Sequence, residues 1–242
     1  MKKYGLIGKK LGHSWSKKWF DTMFANTGIN DAQYCLYEMP NLEGLPHWVA
    51  EEGLRGFNVT IPYKEEIIPL LDDMDEVVQA IGATNCVEVT EGRLVGHNTD
   101  APAFEQTLRP LLKPWHTRAL ILGTGGASKA VAFTLRRLGI DYAFVSRSPQ
   151  GRPNIIGYAE ACRQVPDTFL IVNCTPVGMY PNTEASPWPT NQPFTSRHLC
   201  YDLIYNPAQT RFLQSAKDCG AAWAGGLAML ERQAQLSWNI WK

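Results

Sequence analysis

No run of apolar residues in this 242-residue chain approaches the ~18 needed to cross a bilayer, so no membrane span is expected. The opening MKKYGLIGKK is basic, but its apolar stretch is too short for the core of a signal peptide. Neither sign of charge is in excess. Lys plus Arg total 23 and Asp plus Glu total 23, which removes the electrostatic footprint of a nucleic-acid or anionic-membrane partner. The six cysteines (35, 86, 162, 174, 200 and 219) never fall at C-x-x-C spacing and mostly sit in apolar runs. They read as reduced thiols of a cytoplasmic protein rather than disulfides or zinc ligands, and no metal site is expected. Internal repeats and low-complexity tracts are also lacking. What remains is 45% apolar and 19% charged residues, the make-up of an ordinary globular enzyme, in a chain long enough for two modest domains.

The most informative stretch is residues 118–147, RALILGTGGASKAVAFTLRRLGIDYAFVSR. Ala119 to Leu122 reads as a buried parallel strand, Ala127 to Leu138 as a helix ended by Gly139, and Tyr142 to Val145 as a second strand. Gly123, Gly125 and Gly126 occupy the turn between the first strand and the helix. Glycines there let the backbone approach a pyrophosphate, and the first N–H groups of the helix face the anion. The third glycine of the G-x-G-x-x-G pattern is replaced by Ser128, so a plain strand–turn–helix connection stays open as an alternative. An NAD site usually carries an acid at the end of the second strand. Here the place is taken by Ser146, Arg147 and Ser148, with Arg152 close behind. Guanidinium forks and hydroxyls suit a 2′-phosphate, which favours NADP over NAD.

Upstream, strands are expected at Lys3–Gly8, Tyr34–Tyr37, Phe57–Ile61, Cys86–Val89 and Leu94–Gly96. Helices are expected at about Lys17–Asn26, Leu42–Glu52, Met74–Ile81 and residues 101–112. Ser14 and Ser16 sit just before the first helix. One cap needs one serine, which leaves the other hydroxyl for a ligand. Thr60 and Lys64 follow the third strand, at the edge where open α/β sheets gather their ligands. Asp100 precedes Pro102 and is a candidate N-cap, and a domain boundary falls near it. Downstream, strands are expected at Phe169–Val172 and Cys200–Ile204, with helices at Thr210–Cys219 and along GGLAMLERQAQLSWNIWK. Residues 181–197, rich in Pro, Thr, Ser and Asn, read as an exposed loop.

Taken together, HSWS, GFNVTIPYK, GATN, HNTD, LGTGGA, SRS, NCTPVGM, YNP and GLAMLERQA follow the order and approximate spacing found in shikimate dehydrogenases. The chain resembles that family over nearly its whole length. The resemblance implies an α/β fold of two α/β domains with a cleft between them. A substrate domain with an open sheet takes residues 1–100 and 226–242, and a Rossmann-like NADP-binding domain takes residues 101–225. It implies reversible NADPH-dependent reduction of 3-dehydroshikimate to shikimate in aromatic amino-acid biosynthesis, with Lys64 as catalytic acid/base and Asp100 as its partner. By position, Ser14 and Ser16 resemble the carboxylate-binding pair, and Thr60, Asn85, Tyr205 and Gln233 look like further substrate contacts. On the cofactor side the implied set is Gly123, Gly125, Gly126, Ala127, Ser146, Arg147, Ser148 and Arg152, with Leu203, Gly225 and Met229 bordering the nicotinamide. The chain departs from the family in Ser146-Arg147-Ser148 where Asn-Arg-Thr is usual, in Lys17 where Pro is usual, and in the short segment after Arg147.

The expected partner is a small-molecule substrate, without nucleic acid or membrane, and the assembly a monomer or homodimer. Two other readings stay open. One is a dehydrogenase of quinate or another cyclitol, and the other a non-catalytic NADP-binding regulatory protein. Arg147 argues against NAD, and retention of both Lys64 and Asp100 argues against loss of catalysis. If Arg147 reads a 2′-phosphate, Arg147→Ala raises the KM for NADP far more than that for NAD. Equal loss for both cofactors would remove that role.

Overall fold

The computed structural model of the chain describes residues 1–12, 14–149, 153–189 and 193–242. It divides into two compact α/β units, Met1–Pro102 with Glu231–Lys242, and Ala103–Leu230. In chain order the first contains β1 (Lys2–Gly8), α1 (Trp15–Thr27), β2 (Ala32–Glu38), α2 (Leu45–Glu52), β3 (Leu54–Val59) and α3 (Tyr63–Glu66). These are followed by β4 (Asp73–Met74), α4 (Glu76–Ile81), β5 (Cys86–Thr90), β6 (Arg93–His97) and the start of α5 (Asp100–Leu108). The second contains β7 (Arg118–Leu122), α6 (Gly126–Arg137), β8 (Asp141–Ser146), β9 (Ile155–Gly157) and α7 (Tyr158–Gln164). After these come β10 (Leu170–Asn173), β11 (Leu199–Asp202), α8 (Arg211–Asp218), β12 (Ala222–Ala224) and the start of α9 (Leu227–Trp241).

The sheet of the first unit has the order β2-β1-β3-β5-β6-β4. β1 pairs parallel with β2 and β3, whereas β5 runs antiparallel to both β3 and β6. Two reversals make β6 run the same way as β3. The ends of β1, β3 and β6 and the start of β5 therefore share one edge. Alternation along the strands builds a core on each face. Ile7, Phe57 and Val59 join Leu45, Val49 and Tyr63 on one side, while Tyr4 and Leu6 join Phe20, Phe24, Trp238 and Trp241 on the other. The second of these cores is aromatic. The Trp241 ring stacks on Tyr4 at 5.4 Å, Trp238 meets Tyr4 edge-on at 5.3 Å, and Trp241 Nε1–H donates to the Val87 carbonyl at 3.0 Å. The end of α9 thus closes a sheet built from the first hundred residues.

The sheet of the second unit has the order β12-β11-β10-β7-β8-β9, paired parallel throughout among the described residues. Strand order reverses beside β7, the switch point where ligands of open parallel sheets bind. β7 and β10 are buried almost along their whole lengths, as the continuous apolar runs foretell. β12 was not anticipated. Its three residues extend the parallel sheet beyond β11.

Several expected boundaries move. The helix over 101–112 ends at Leu108 and passes into a 3₁₀ turn, Arg109–Leu111, because Pro110 has no N–H to continue it. α2 starts at Leu45 rather than Leu42, after Gly44 in a left-handed conformation. Met74 belongs to β4, and Asp75 then caps α4 by accepting the Val78 N–H at 2.7 Å. The third strand stops at Val59, leaving Thr60 and Ile61 outside it, and Ile61 is exposed. The eleventh stops at Asp202 rather than Ile204. α1 begins at Trp15, so Ser16 lies inside its first turn. Residues 181–197 form no regular element among the described residues, but they are not simply an exposed loop. Trp188 and Phe194 are buried at 4% and 5% exposure, and Phe194 meets Phe212 of α8 edge-on at 5.8 Å. Two aromatic anchors hold a polar segment down, since full burial of one such side chain is worth about 1.5–3 kcal/mol.

His97, the last residue of β6, ties three elements together. Its Nδ1 lies 3.1 Å from Asp75 Oδ2, and its Nε2 lies 3.6 Å from Glu88 Oε2 on β5. The hydrogen bond to Asp75, with the charges of Asp75 and Glu88, outweighs burial and holds the imidazole pKa above its ordinary value. A raised folded-state pKa contributes stability that is complete below the unfolded value of about 6.5 and fades as pH rises through the folded one. Thermal melts should therefore show His97→Gln less stable than the parent at pH 6, with the gap closing toward pH 9. A gap independent of pH would mean that packing, not charge, is what His97 supplies.

Candidate active site

The shared edge of the first sheet collects the polar residues singled out above. Lys64 sits in α3, directly after the turn that follows β3, and its backbone carbonyl accepts the Thr84 N–H at 2.8 Å. Its ammonium donates to Asp100 Oδ2 at 2.6 Å, and both side chains are largely buried, at 19% and 12% exposure. The second Asp100 oxygen accepts Asn85 Nδ2–H at 2.9 Å. The Asn85 amide is shared further. It reaches Thr99 Oγ1 at 2.9 Å and Gln233 Oε1 at 3.4 Å, while its own oxygen accepts the Thr99 N–H at 2.7 Å. With only two hydrogens on Nδ2 and three acceptors around it, Asn85 has capacity to redistribute its bonds when a ligand arrives.

Asp100 is free for this arrangement because it does not cap α5, as the sequence had suggested it might. It is the first residue of that helix, and Asn98 takes the capping part, accepting the Ala101 N–H at 3.0 Å and donating to the Ala83 carbonyl at 2.9 Å.

A second layer of polar residues lies behind the pair. On β3, Phe57 and Val59 point to one core, so Asn58 points to the other face. There its amide donates to Ser237 Oγ at 2.8 Å and to the Asn85 carbonyl at 3.0 Å, and its oxygen accepts from the Tyr34 hydroxyl at 2.9 Å. Ser237, one helical turn after Gln233, donates to the Gln233 carbonyl at 3.0 Å. His97 joins through its carbonyl, which accepts the Asn85 N–H at 3.2 Å and the Thr84 hydroxyl. These residues were missed in the sequence. The signal for Asn58 was a polar residue inside a buried strand, and that for Ser237 was its i, i+4 spacing from Gln233.

At the same edge, the loop after β1 lies against Thr60. A Cβ on Gly8 would meet Thr60 Cγ2 and Leu11 Cδ2 at 2.6 Å, so any larger residue there would have to displace those side chains. The loop leads to Ser14, which stands at the N-cap position of α1 but makes no side-chain cap bond. Among the described residues no hydrogen bond is made by the hydroxyl of Ser14 or Ser16. The structure thus groups Lys64, Asp100, Asn85 and Gln233 by direct bonds, and Thr60, Ser14 and Ser16 by sheet edge.

The remaining expected residues lie in the second unit. Gly123 follows β7 with φ +101°, and a Cβ there would come within 2.9 Å of Thr175 Cγ2, so glycine is required on both counts. Gly125 precedes α6 in open space, and Gly126 and Ala127 open the helix. Ser128, in place of the third glycine, is fully buried and donates to the Gly125 carbonyl at 2.6 Å, which fastens the turn from inside. At the end of β8 the Ser146 hydroxyl accepts the Ser148 N–H at 3.2 Å, and Arg147 is exposed with no ion pair among the described residues. Arg152 lies outside the described residues. Leu203 and Tyr205 follow β11. Gly226 packs against the Leu203 carbonyl, Gly225 lies close to the Ala208 carbonyl, and Met229 is buried on α9. One further residue was not foreseen. Asp202 is fully buried at the end of β11, accepting from Thr210 Oγ1 at 2.6 Å, Asn173 Nδ2 at 3.0 Å and the Ile204 N–H at 3.0 Å. Burial pushes its pKa up to about 6. No cluster of His, Cys, Asp and Glu suited to a metal occurs among the described residues.

With this geometry in hand, residues 6–87 match a family profile described as the shikimate dehydrogenase substrate binding domain. Shikimate dehydrogenase (NADP(+)) of Caldicellulosiruptor saccharolyticus is 36% identical over 258 residues, covering 100% of this chain and 92% of the relative. Among solved structures, shikimate 5-dehydrogenase of Thermus thermophilus, in complex with NADP(H) and shikimate, superposes with a TM-score of 0.88 at 34% identity, covering 100% of this chain and 94% of that one. Quinate dehydrogenase of Corynebacterium glutamicum, in complex with NAD, superposes at 0.89 with 25% identity, covering 100% and 93%.

The unused serine hydroxyls make a direct test. Losing a working N-cap typically costs about 1 kcal/mol. Replacing both Ser14 and Ser16 by Ala should leave the melting temperature nearly unchanged and act on ligand binding alone. A clear drop in melting temperature would return both residues to a capping role.

Proposed function

The chain belongs to the shikimate dehydrogenase family, and from that premise we propose that it is an NADP-dependent shikimate dehydrogenase, reducing 3-dehydroshikimate to shikimate reversibly. The observation that carries this reading is the Lys64–Asp100 pair, with Asn85 holding the second carboxylate oxygen. Reduction of a ketone requires a proton on oxygen, and the Lys64 ammonium is the donor; in the reverse direction its neutral amine takes the proton back. Asp100 orients the amine and balances its charge. We assign most of the substrate contacts to the first unit. Ser14 and Ser16 take the carboxylate, while Thr60, Asn85 and Gln233 take the ring hydroxyls, a shell of hydroxyls and amides matched to a polyhydroxylated acid. Tyr205 is assigned a further substrate contact.

The second unit suits NADP. The Gly123–Gly126 turn opens onto the N-terminus of the twelve-residue α6, and β8 ends at Ser146, followed by Arg147 and Ser148, with no acid. Gly123, Gly125, Gly126 and Ala127 would hold the pyrophosphate, Ser146, Arg147 and Ser148 the 2′-phosphate, and Leu203, Gly225 and Met229 would border the nicotinamide. When bound, NADPH supplies the hydride. We place the enzyme in the cytoplasm, as a monomer or homodimer. Six unpaired cysteines suit a reducing compartment, and no helix among the described residues is long and apolar enough to cross a membrane.

The likeness to an NAD-bound quinate dehydrogenase makes quinate oxidation the second reading, and Arg147 weighs against its cofactor. Steady-state assay of shikimate and quinate, each with NADP and NAD, separates the two. Within the first reading, Lys64→Ala should lower kcat by roughly 10²–10⁴ with NADP affinity retained, the range usual for general acid–base catalysis. Asp100→Asn should lower kcat as well, and the double variant should be little worse than the worse single, because the pair acts as a unit. Near-normal kcat in Lys64→Ala would falsify the mechanism while leaving the fold untouched.

A further inference from the structure

The loop that leads to the two serines is held from outside the site. β2 is the edge strand, and its last residue, Glu38, lies in register with Gly8 at the end of β1. One oxygen of Glu38 accepts two consecutive backbone N–H groups of the following loop, Leu11 at 2.6 Å and Gly12 at 3.2 Å. Glu38 forms no ion pair among the described residues, so these are its principal bonds. The two amides lower the pKa of its carboxyl from the ordinary glutamate value. The next residue extends the anchorage. The Met39 N–H donates to the Gly8 carbonyl at 2.9 Å, and the Met39 carbonyl accepts from the Tyr63 hydroxyl at 2.6 Å. Tyr63 directly precedes Lys64. Glu38 and Met39, at and just after the end of an edge strand, therefore grip both the loop leading to Ser14 and the start of α3, which bears Lys64.

An exposed edge-strand glutamate is ordinarily a solvated charge. Here it faces paired N–H groups that have no strand or helix to satisfy them, in a loop that reaches Ser14 only two residues after Gly12. Two bonds to one carboxylate oxygen, one of them short, fix the direction in which that loop leaves the sheet. We propose that Glu38 is a positioning residue that sets the loop leading to Ser14, and with it the first turn of α1 that bears Ser16, to receive the substrate carboxylate. The inference rests on the reading of those serines given above. Glu38 touches neither substrate nor cofactor in this account and acts only through the loop.

The test compares Glu38→Ala and Glu38→Gln using shikimate and its methyl ester, which lacks the carboxylate charge. Glu38→Ala should raise the KM for shikimate about 3- to 10-fold, as expected when charge-assisted bonds to the substrate loosen without being lost. Its kcat and its KM for NADP should stay within about twofold of the parent, and its KM for the ester should be unchanged. Glu38→Gln keeps an oxygen that accepts both N–H groups and should restore most of the shikimate KM. The inference is overturned if Glu38→Ala leaves the shikimate KM unchanged, if acid and ester suffer equally, or if Glu38→Gln is as impaired as Glu38→Ala. The double variant Ser14→Ala/Ser16→Ala separates the two layers of argument. If it raises the shikimate KM while Glu38→Ala does not, the serine reading stands and the role of Glu38 fails. If neither raises it, both fail.

Discussion

The constraint from which the rest of the first unit can be understood is the contact between one ammonium and one carboxylate, Lys64 on Asp100 at 2.6 Å. Two largely buried charges on segments 36 residues apart are costly unless every remaining lone pair is satisfied. The surrounding polar residues offset part of that cost. Asn85 takes the second oxygen of Asp100, Thr84 fixes the backbone of Lys64, and Asn98 relieves Asp100 of capping duty. The sheet makes the meeting geometrically cheap, because the two reversals through β5 return β6 to the edge where β1 and β3 end.

Behind the pair, the hydrogen bonds from Tyr34 through Asn58 to Ser237 and Gln233 run within an otherwise aromatic core. Such a network is costly when partly made and rigidifying when complete. Its completeness explains how Gln233, far along the chain, arrives beside Asn85. The second unit works on a different principle. It relies on backbone shape, with Gly123 in a conformation only glycine tolerates and Ser128 fastening the turn from beneath.

Much of this is legible in the sequence, for reasons that differ by residue. The strand–turn–helix–strand at 118–147 carries period, breakers and order together, and its elements fall within about a residue of expectation. Lys64, Asp100, Asn85 and the serines stand in dense short motifs. What escapes falls into two kinds, local features with a weak pattern and residues whose role depends on distant partners. Asp75 as a cap, β4, and the early end of α5 at Leu108, ahead of Pro110, are local features masked by weak periodicity. Trp188 and Phe194 look solvated among prolines and serines until Phe212 is known to lie beneath them. Asn58, Ser237, Asp202 and Glu38 are ordinary polar residues in sequence, and only the fold shows what they hold.

Closure of the first sheet by α9 has a consequence for synthesis. Trp241 bonds to Val87, 154 residues earlier, and its ring also packs against Tyr4, Phe20 and Tyr34. On a translating ribosome the second unit, contiguous in sequence, can gather its strands while the first still lacks one wall. The earliest residues to emerge are therefore among the last to be covered, and long loop closure of this kind is slow. A nascent chain of this design carries a sticky, half-built sheet through most of its elongation, which makes it a natural client for chaperones that shield exposed aromatic surface.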